Sequence, residues 1–179
     1  LDTYGFPKKA FSVIGDGKKL ERMEKHYPVF INNVRKALDG ARDDFGLIFN
    51  AANNWAVDFV AKAGQDAVYI EVWPPHERYI HLYHLVRHAL EKGGKPVILA
   101  AYLKPYSNAN RTGHNSVENS IRLLSSVIAA SGGYHLILGE KNGVLTEGYY
   151  VNHSTMRDEF VRTMRNYYDF IVRYANLLF

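Results

Sequence analysis

The sequence predicts an α/β fold in which helices cover a parallel β-sheet. Apolar runs of strand length alternate along the chain with longer segments whose apolar residues recur at helical spacing. The predicted strands are apolar almost throughout, which is typical of parallel sheets with both faces covered. A polar residue also stands near the C-terminal end of each predicted strand, where the binding and catalytic residues of α/β proteins usually lie.

The predicted strands are short apolar runs bounded by glycine, proline or polar residues. Leu1-Asp2 resembles the end of a strand whose beginning is missing. Residues 5–25 are rich in glycine, proline and lysine, which predicts a long loop with one short extended piece at residues 10–14. Four complete strands are predicted at residues 46–50, 67–75, 96–102 and 134–139.

The predicted helices lie between recognisable start and stop signals. Pro28 suits the first turn of one helix, and Asn53 or Asn54 can cap the next. Glycines follow the apolar stripes of the first four helices and end them. The predicted helices occupy residues 28–38, 53–63, 78–92, 117–130 and 154–177.

Two architectures fit this alternation: an open doubly wound sheet, or part of a (β/α)8 barrel. No strand is followed by Gly-x-Gly-x-x-Gly and no P-loop motif is present, which argues against the nucleotide-binding forms of the open sheet. In a barrel, the polar residues at the strand ends would converge on one catalytic face. These residues are Asp2, Asn50, Glu71 with Trp73, Tyr102 and Glu140. The pattern favours a partial (β/α)8 domain over residues 1–179, the second half of a barrel from a longer chain.

Composition excludes several classes of function. The formal net charge is +4, and lysine and arginine are scattered along the chain, which argues against a nucleic-acid partner. The sequence has no cysteine, so disulfides and thiolate chemistry are excluded. No apolar run approaches the roughly 20 residues of a membrane span. We expect a globular protein, with hydrophobic residues at 47% of the composition.

Glu71 is the first candidate for a catalytic residue, because an ionisable carboxyl group is unusual inside an apolar strand. It stands in the run Ala-Val-Tyr-Ile-Glu-Val-Trp-Pro-Pro at residues 67–75, which predicts a strand buried on both faces. Apolar neighbours favour the protonated form of a carboxyl group, so Glu71 could act as a general acid near neutral pH. The alternative is that Glu71 pairs with a core arginine or lysine and only stabilises the fold.

Asp2 and Glu71 form a possible catalytic pair. If they end strands separated by one other strand, their side chains can meet across the mouth of a barrel. Retaining glycosidases hold two carboxyl groups about 5–5.5 Å apart, one as the nucleophile and one as the acid/base. The alternative is that Asp2 caps a turn at the end of the chain.

Six short motifs occur in order along the chain. They are Asp-Thr-Tyr-Gly (residues 2–5), Phe-Asn-Ala-Ala-Asn (49–53), Tyr-Ile-Glu-Val-Trp-Pro-Pro (69–75), Ala-Ala-Tyr (100–102), Gly-Gly-Tyr-His-Leu-Ile-Leu-Gly-Glu (132–140) and Asn-Tyr-Tyr-Asp-Phe (166–170). Together they resemble the second half of the catalytic barrel of glycoside hydrolase family 66. That family contains endo-dextranases and cycloisomaltooligosaccharide glucanotransferases, which are retaining enzymes acting on α-1,6-linked glucans.

The resemblance implies roles for the two carboxyl groups. Asp2 stands where the family has its nucleophile, at the end of the fourth strand, and Glu71 where it has its acid/base. The family residues that precede the nucleophile have no counterpart here, because the sequence begins at Leu1. Three readings of function stay open: an endo-acting dextranase, a cycloisomaltooligosaccharide glucanotransferase, and a carbohydrate-binding half-barrel fragment without activity of its own.

Five further residues are candidates for substrate contacts. Trp73 lies on the Glu71 side of its strand by alternation and could stack on a glucose ring, or be a core indole. Asn50, Asn53 and Tyr102 could bond sugar hydroxyls, although Asn53 could instead cap its helix. Glu140 could contact substrate or form a structural ion pair.

A histidine cluster is the one competing pattern. His81, His84 and His88 share a helix face, opposite the apolar stripe, and no carboxylate lies at the matching turn. We interpret them as surface residues and expect neither a metal nor a cofactor. The expected partners are an α-glucan substrate and the remainder of the same barrel. The resemblance places the protein outside the cell, at the cell surface or in the periplasm.

Overall fold

A computed structural model of the chain describes residues 8–14, 17–41, 44–108, 113–137, 140–148 and 154–179. The strands are β1 (Lys9–Ile14), β2 (Gly17–Arg22), β3 (Ile48–Asn50), β4 (Ala67–Glu71), β5 (Val97–Ala100), β6 (Gly133–His135), β7 (Gly143–Val144) and β8 (Ser154–Thr155). The helices are α1 (Tyr27–Asp39), α2 (Val57–Val60), α3 (Tyr79–Gly93), α4 (His114–Ala130), α5 (Asp158–Arg173) and α6 (Ala175–Leu178). The predicted alternation of strands and helices is confirmed for residues 46–135.

A parallel sheet of four strands, in the order β3-β4-β5-β6, forms the centre of the molecule. Strands β4, β5 and β6 each pair with the strand that precedes them in the sequence. The register is continuous across the sheet, since Asn50 pairs with Tyr69, Tyr69 with Ile98, and Ile98 with Tyr134. All four C-terminal strand ends therefore lie at one edge of the sheet.

Helices cover one face of this sheet within the described residues. Val68, Ile70, Val97 and Leu99 point to that face and are fully buried. They pack against an apolar stripe of α3 and against Ile128 of α4. Two further clusters join α1 to β3 and α4 to α5. The helical stripes predicted from the sequence are thus the contacts that hold the helices on the sheet.

The other face of the sheet is only partly covered. Tyr69 and Glu71 alternate with Val68 and Ile70 along β4, and both remain half-buried rather than buried. The prediction of a strand buried on both faces is therefore wrong for the described residues. The cause is the position of the helices, which lie on the side of Val68 and Ile70. Glu71 consequently points to a surface that solvent or a ligand can reach.

The extended piece predicted at residues 10–14 is confirmed as part of β1, whereas the loop predicted at residues 17–22 is wrong, because β2 occupies them. Strands β1 and β2 pair there as an antiparallel hairpin, with Phe11 opposite Leu20 and Ile14 opposite Gly17. Phe11, Val13 and Leu20 alternate with polar residues along the two strands and are exposed. The second strand was hard to recognise in the sequence, because Gly17, Lys18 and Lys19 precede its apolar residue Leu20.

The predicted helix at residues 53–63 is reduced to a 3-10 turn, Ala52–Asn54, and the single turn of α2. Asn53, Asn54 and Ala56 all have positive φ values, at 51°, 60° and 66°. An α-helix cannot continue through residues in this left-handed conformation. The suggestion that Asn53 caps a helix is therefore wrong, since no side-chain cap is present at either turn.

The last predicted helix also begins later than expected. Residues 154–155 form β8, and α5 starts at Asp158 with Glu159 in its first turn, where acidic side chains interact well with the helix dipole. The helix packs on α4 through Phe160 and Met164. No helix among the described residues is long and apolar enough to cross a membrane.

Candidate active site

Three neighbouring strands bring Asn50, Glu71 and Tyr102 together at the C-terminal edge of the sheet. Asn50 ends β3, Glu71 ends β4, and Tyr102 follows the end of β5 by two residues. Their positions alternate so that all three side chains point to the partly covered face. The polar strand ends that the sequence predicted to converge are in hydrogen-bond contact at these three positions.

The Glu71 carboxyl group is held by one donor on each oxygen. The Tyr102 hydroxyl donates a hydrogen bond to Oε1, and Nδ2 of Asn50 donates to Oε2 over 3.2 Å. Asn50 is buried, with 8% of its surface exposed. Within the described part of the chain, no lysine or arginine forms an ion pair with Glu71. The alternative of a core ion pair is therefore wrong there, and the carboxyl group is oriented by neutral donors.

Trp73 lies beside this carboxyl group, and Asn53 fixes its backbone. The Trp73 and Tyr102 rings meet edge to face, with centroids 5.5 Å apart and an interplanar angle of 64°. The Trp73 backbone N–H donates to Oδ1 of Asn53 over 2.8 Å, and Nδ2 of Asn53 donates to the Pro74 carbonyl over 3.3 Å. Asn53 thus links the segment after β3 to the segment after β4.

A cavity of about 200 Å³ opens next to the two rings. Trp73 and Tyr102 line one side of it, and His76, Glu77 and Lys104 are the polar and charged residues of its wall. Burial and the neighbouring His81 hold the pKa of His76 below its ordinary value. Aromatic faces combined with a few hydrogen-bonding groups are the usual lining of a binding site for a small polar ligand.

Two residues near the site had not been predicted from the sequence. Gly148 approaches Glu71, Tyr102 and Trp73 more closely than any side chain could. His135 supports the end of β5 from the helical side of the sheet: its Nε2–H donates to the Ala101 carbonyl over 3.1 Å. A glycine in a loop and a histidine in an apolar strand carry no sequence signal that would reveal either contact.

The imidazole of His135 is neutral and buried. Its Nδ1 accepts a hydrogen bond from the Ser125 hydroxyl over 2.9 Å, and burial lowers its pKa from 6.5 to about 4. The Tyr168 hydroxyl donates to the His135 carbonyl over 2.8 Å, and burial raises the pKa of Tyr168 to about 12. These bonds tie α4 and α5 to the sheet directly behind the residue that precedes Tyr102.

Asp2 and the Glu140 side chain lie outside the described residues. The backbone of Glu140 begins a 3-10 turn, Glu140–Asn142, beyond the end of β6. The distance between the carboxyl groups of Asp2 and Glu71 therefore stays a prediction.

The histidines of α3 have separate partners. His81 accepts a hydrogen bond at Nδ1 from the Arg78 backbone over 3.3 Å, while Nε2 of His88 lies 3.4 Å from Asp58. The His84 ring contacts Tyr83 and is exposed. In the ranges that the structure covers, no group of three or more histidine, aspartate or glutamate residues is arranged to hold a metal ion.

Comparisons with known proteins identify the family of the chain. The family model described as glycosyl hydrolase family 66 matches residues 1–179. A dextranase of Streptococcus salivarius is 27% identical over 222 residues, an alignment that covers 99% of this chain and 27% of the dextranase. A cycloisomaltooligosaccharide glucanotransferase of Niallia circulans is 44% identical over 63 residues, which cover 35% of this chain and 6% of the relative.

A solved structure shares the fold. It is the crystal structure of a cycloisomaltooligosaccharide glucanotransferase of Paenibacillus sp. in complex with cycloisomaltoheptaose. The TM-score is 0.78 at 20% sequence identity, and the match covers 90% of this chain and 42% of that chain. The present chain thus spans 27% of the length of the dextranase and less than half of the solved structure.

Proposed function

Because the chain belongs to glycosyl hydrolase family 66, we propose that it carries the acid/base residue of a retaining glycosidase that cleaves internal bonds of α-1,6-linked glucan (dextran). The observation that carries the proposal is the Glu71 carboxyl group, which is held between Tyr102 and Asn50 at the C-terminal edge of a parallel sheet. Acid/base catalysis needs a carboxyl group with a fixed orientation that is still open to a substrate, and Glu71 is half-buried.

The proposed architecture is the second half of a (β/α)8 barrel. The sequential strand order and the helices on one face support it, because a doubly wound sheet reverses its strand order and has helices on both faces. The partly covered face would then be the barrel interior. The remainder of the barrel, supplied by the longer protein, would complete that interior and contribute the rest of the substrate cleft.

The proposed reaction has two steps. In the first, an oxygen of Asp2 bonds to the anomeric carbon, the glycosidic bond breaks with its electron pair going to oxygen, and Glu71 donates its proton to that oxygen. In the second, Glu71 takes a proton from water while the water oxygen bonds to the anomeric carbon and the bond to Asp2 breaks. The nucleophilic role of Asp2 rests on its place in the family motif.

The substrate contacts are proposed from the same geometry. Trp73, edge to face with Tyr102, offers an aromatic face to a glucose ring next to Glu71. Asn50 and Tyr102 orient the carboxyl group at the sheet edge, and both would lie beside the hydroxyls of a bound sugar. Asn53 would act mainly by holding the Trp73 backbone. Glu140 would contact the substrate from the segment beyond β6.

A glucanotransferase is the second candidate. The 63-residue match at 44% identity to a cycloisomaltooligosaccharide glucanotransferase favours it. The two activities differ only in the acceptor of the second step: water gives linear products, whereas a hydroxyl of the same glucan chain gives a ring. Dextran is a polymer and does not cross a membrane, so we place the enzyme outside the cell.

The test is Glu71→Gln in the intact protein that contains this chain. Reducing-end release from dextran should fall by at least about 100-fold, since the variant cannot donate a proton. A glycosyl fluoride substrate needs no protonated leaving group, so its first step should be spared. Glu91→Gln, an exposed position on α3, is the matched control and should keep full activity.

Full dextran cleavage by the Glu71→Gln variant would remove Glu71 from the mechanism. Analysis of the wild-type products then separates the two candidates, because cyclic isomaltooligosaccharides require a transfer step and linear ones require hydrolysis.

A further inference from the structure

Gly148 has no room for a side chain. A Cβ atom at this position would lie 2.6 Å from the Tyr102 hydroxyl oxygen, 2.7 Å from Oε1 of Glu71 and 2.8 Å from Cζ2 of Trp73. Real Cβ atoms essentially never approach other atoms within 3.0 Å. Gly148 is not among the described residues with positive φ, so the requirement for glycine there is one of space, not of backbone conformation.

The forbidden space coincides with one hydrogen bond. The Tyr102 hydroxyl donates to Oε1 of Glu71, and these two atoms are the nearest neighbours of the absent Cβ. Any side chain at position 148 would have to push the hydroxyl or the carboxyl group aside. Because the Tyr102 ring already contacts Trp73, the ring can yield only by disturbing that contact as well.

We propose that Gly148 is a positioning residue for the acid/base carboxyl group: its missing side chain keeps the Tyr102 hydroxyl on Oε1 of Glu71. This inference rests on the proposed role of Glu71. A carboxyl group transfers its proton to a leaving group only when it is held in the correct orientation, so this hydrogen bond bears directly on the acid step. The loop that contains Gly148 would thereby influence the chemistry without touching the reacting bond.

Two substitutions should have the same consequence. Gly148→Ala displaces the hydroxyl, and Tyr102→Phe removes it but keeps the ring. In each variant, kcat/KM for dextran should fall about 10-fold, because general acid catalysis is worth roughly 100–10,000-fold and part of it depends on the orientation of Glu71. The kcat/KM for a glycosyl fluoride, whose leaving group needs no proton, should stay at the wild-type value. The loss in the double variant should be smaller than the product of the two single losses, since both changes disturb the same hydrogen bond.

The experiment measures kcat/KM of the intact protein for dextran and for a glycosyl fluoride, in these variants and in a control. Gly46→Ala is the matched control. Its Cβ would meet only Oδ2 of Asp66, at 3.9 Å, and position 46 lies ahead of β3 at the opposite end of the sheet. Both of its kcat/KM values should equal those of the wild type.

A purely structural role for Gly148 would lower kcat/KM for both substrates alike, which would overturn the proposal. A selective loss on dextran in Tyr102→Phe but not in Gly148→Ala would overturn it as well. If Gly148→Ala alone fails to fold, Tyr102→Phe is compared with and without Gly148→Ala, because loss of the hydroxyl removes the closest contact. An unchanged kcat/KM for the glycosyl fluoride then supports the proposal, and equal further losses on both substrates refute it.

The failure of the proposed function is a separate outcome. It would appear as full dextran cleavage by Glu71→Gln. A Glu71→Gln variant that does not cleave dextran, together with full dextran cleavage by Gly148→Ala and Tyr102→Phe, would refute only the role of Gly148.

Discussion

Substitution of His135 by glutamine should reduce the free energy of unfolding that the protein loses between neutral and acidic pH. His135 has 7% of its surface exposed, and burial lowers the pKa of its imidazole from 6.5 to about 4. The hydrogen bond to the Ala101 carbonyl raises this pKa and offsets part of the effect of burial, because the carbonyl can also accept a hydrogen bond from the charged ring. The folded protein therefore holds a neutral ring over a pH range in which the unfolded chain takes up a proton.

The sign and size follow from this difference in proton uptake. The unfolded state binds more protons between pH 6.5 and pH 4, so stability is fully present above pH 6.5 and is lost as the pH falls toward 4. Each pH unit in that window changes the free energy of unfolding by about 1.4 kcal/mol. Between pH 7 and pH 4.5, the contribution of His135 to the loss is about 2 kcal/mol.

Urea denaturation of the intact protein at these two pH values measures the effect. Glutamine can still donate a hydrogen bond to the Ala101 carbonyl but does not titrate, so His135→Gln should lose about 2 kcal/mol less than the wild type on acidification. His84→Gln, at an exposed position on α3, controls for the removal of a histidine and should follow the wild type. Equal losses for wild type and His135→Gln would show that His135 is not held neutral by burial.

Two further predictions concern backbone positions that shape the site and the core. Asn53→Gly keeps a residue that tolerates φ of 51° and loses only the bonds to Trp73 and Pro74, so Asn53→Ala should be about 1 kcal/mol less stable than Asn53→Gly by urea denaturation; equal stabilities would contradict the argument. A Cβ at Gly133 would lie 2.9 Å from Cγ2 of Val86, so Gly133→Ala should cost about 1–3 kcal/mol. Adding Val86→Ala should cost less in that variant than in the wild type, whereas strictly additive losses would rule out the close approach.

The sequence was sufficient for the parts of the fold that depend on local pattern. The boundaries of α1 and α3 agree with the predicted helices within one residue, because their apolar stripes, an early proline in one and closing glycines are all local signals. The convergence of Asn50, Glu71 and Tyr102 could also be predicted. Polar residues at the ends of parallel strands must meet once the strands are in register.

The features that were missed depend on contacts far apart in the chain. Asn53 adopts its left-handed conformation while holding the Trp73 backbone, 20 residues away, so its helix-capping signal was misleading. Gly148 meets Glu71 only because a loop beyond β6 returns over the end of β4. The supporting role of His135 depends on contacts with Ser125 on α4 and with the Ala101 carbonyl, and neither contact can be read from the sequence.

Strands β4, β5 and β6 each pair with the strand before them in the sequence, and this order bears on folding during synthesis. A ribosome releases the N-terminal segments first, so β3 and β4 can associate before β5 and β6 have been synthesised. Each later βα unit has to pair only with the strand formed just before it, so the new contacts span a short stretch of sequence. During translation the sheet can therefore grow by one strand at a time, as each new strand pairs with the edge of the strand synthesised before it.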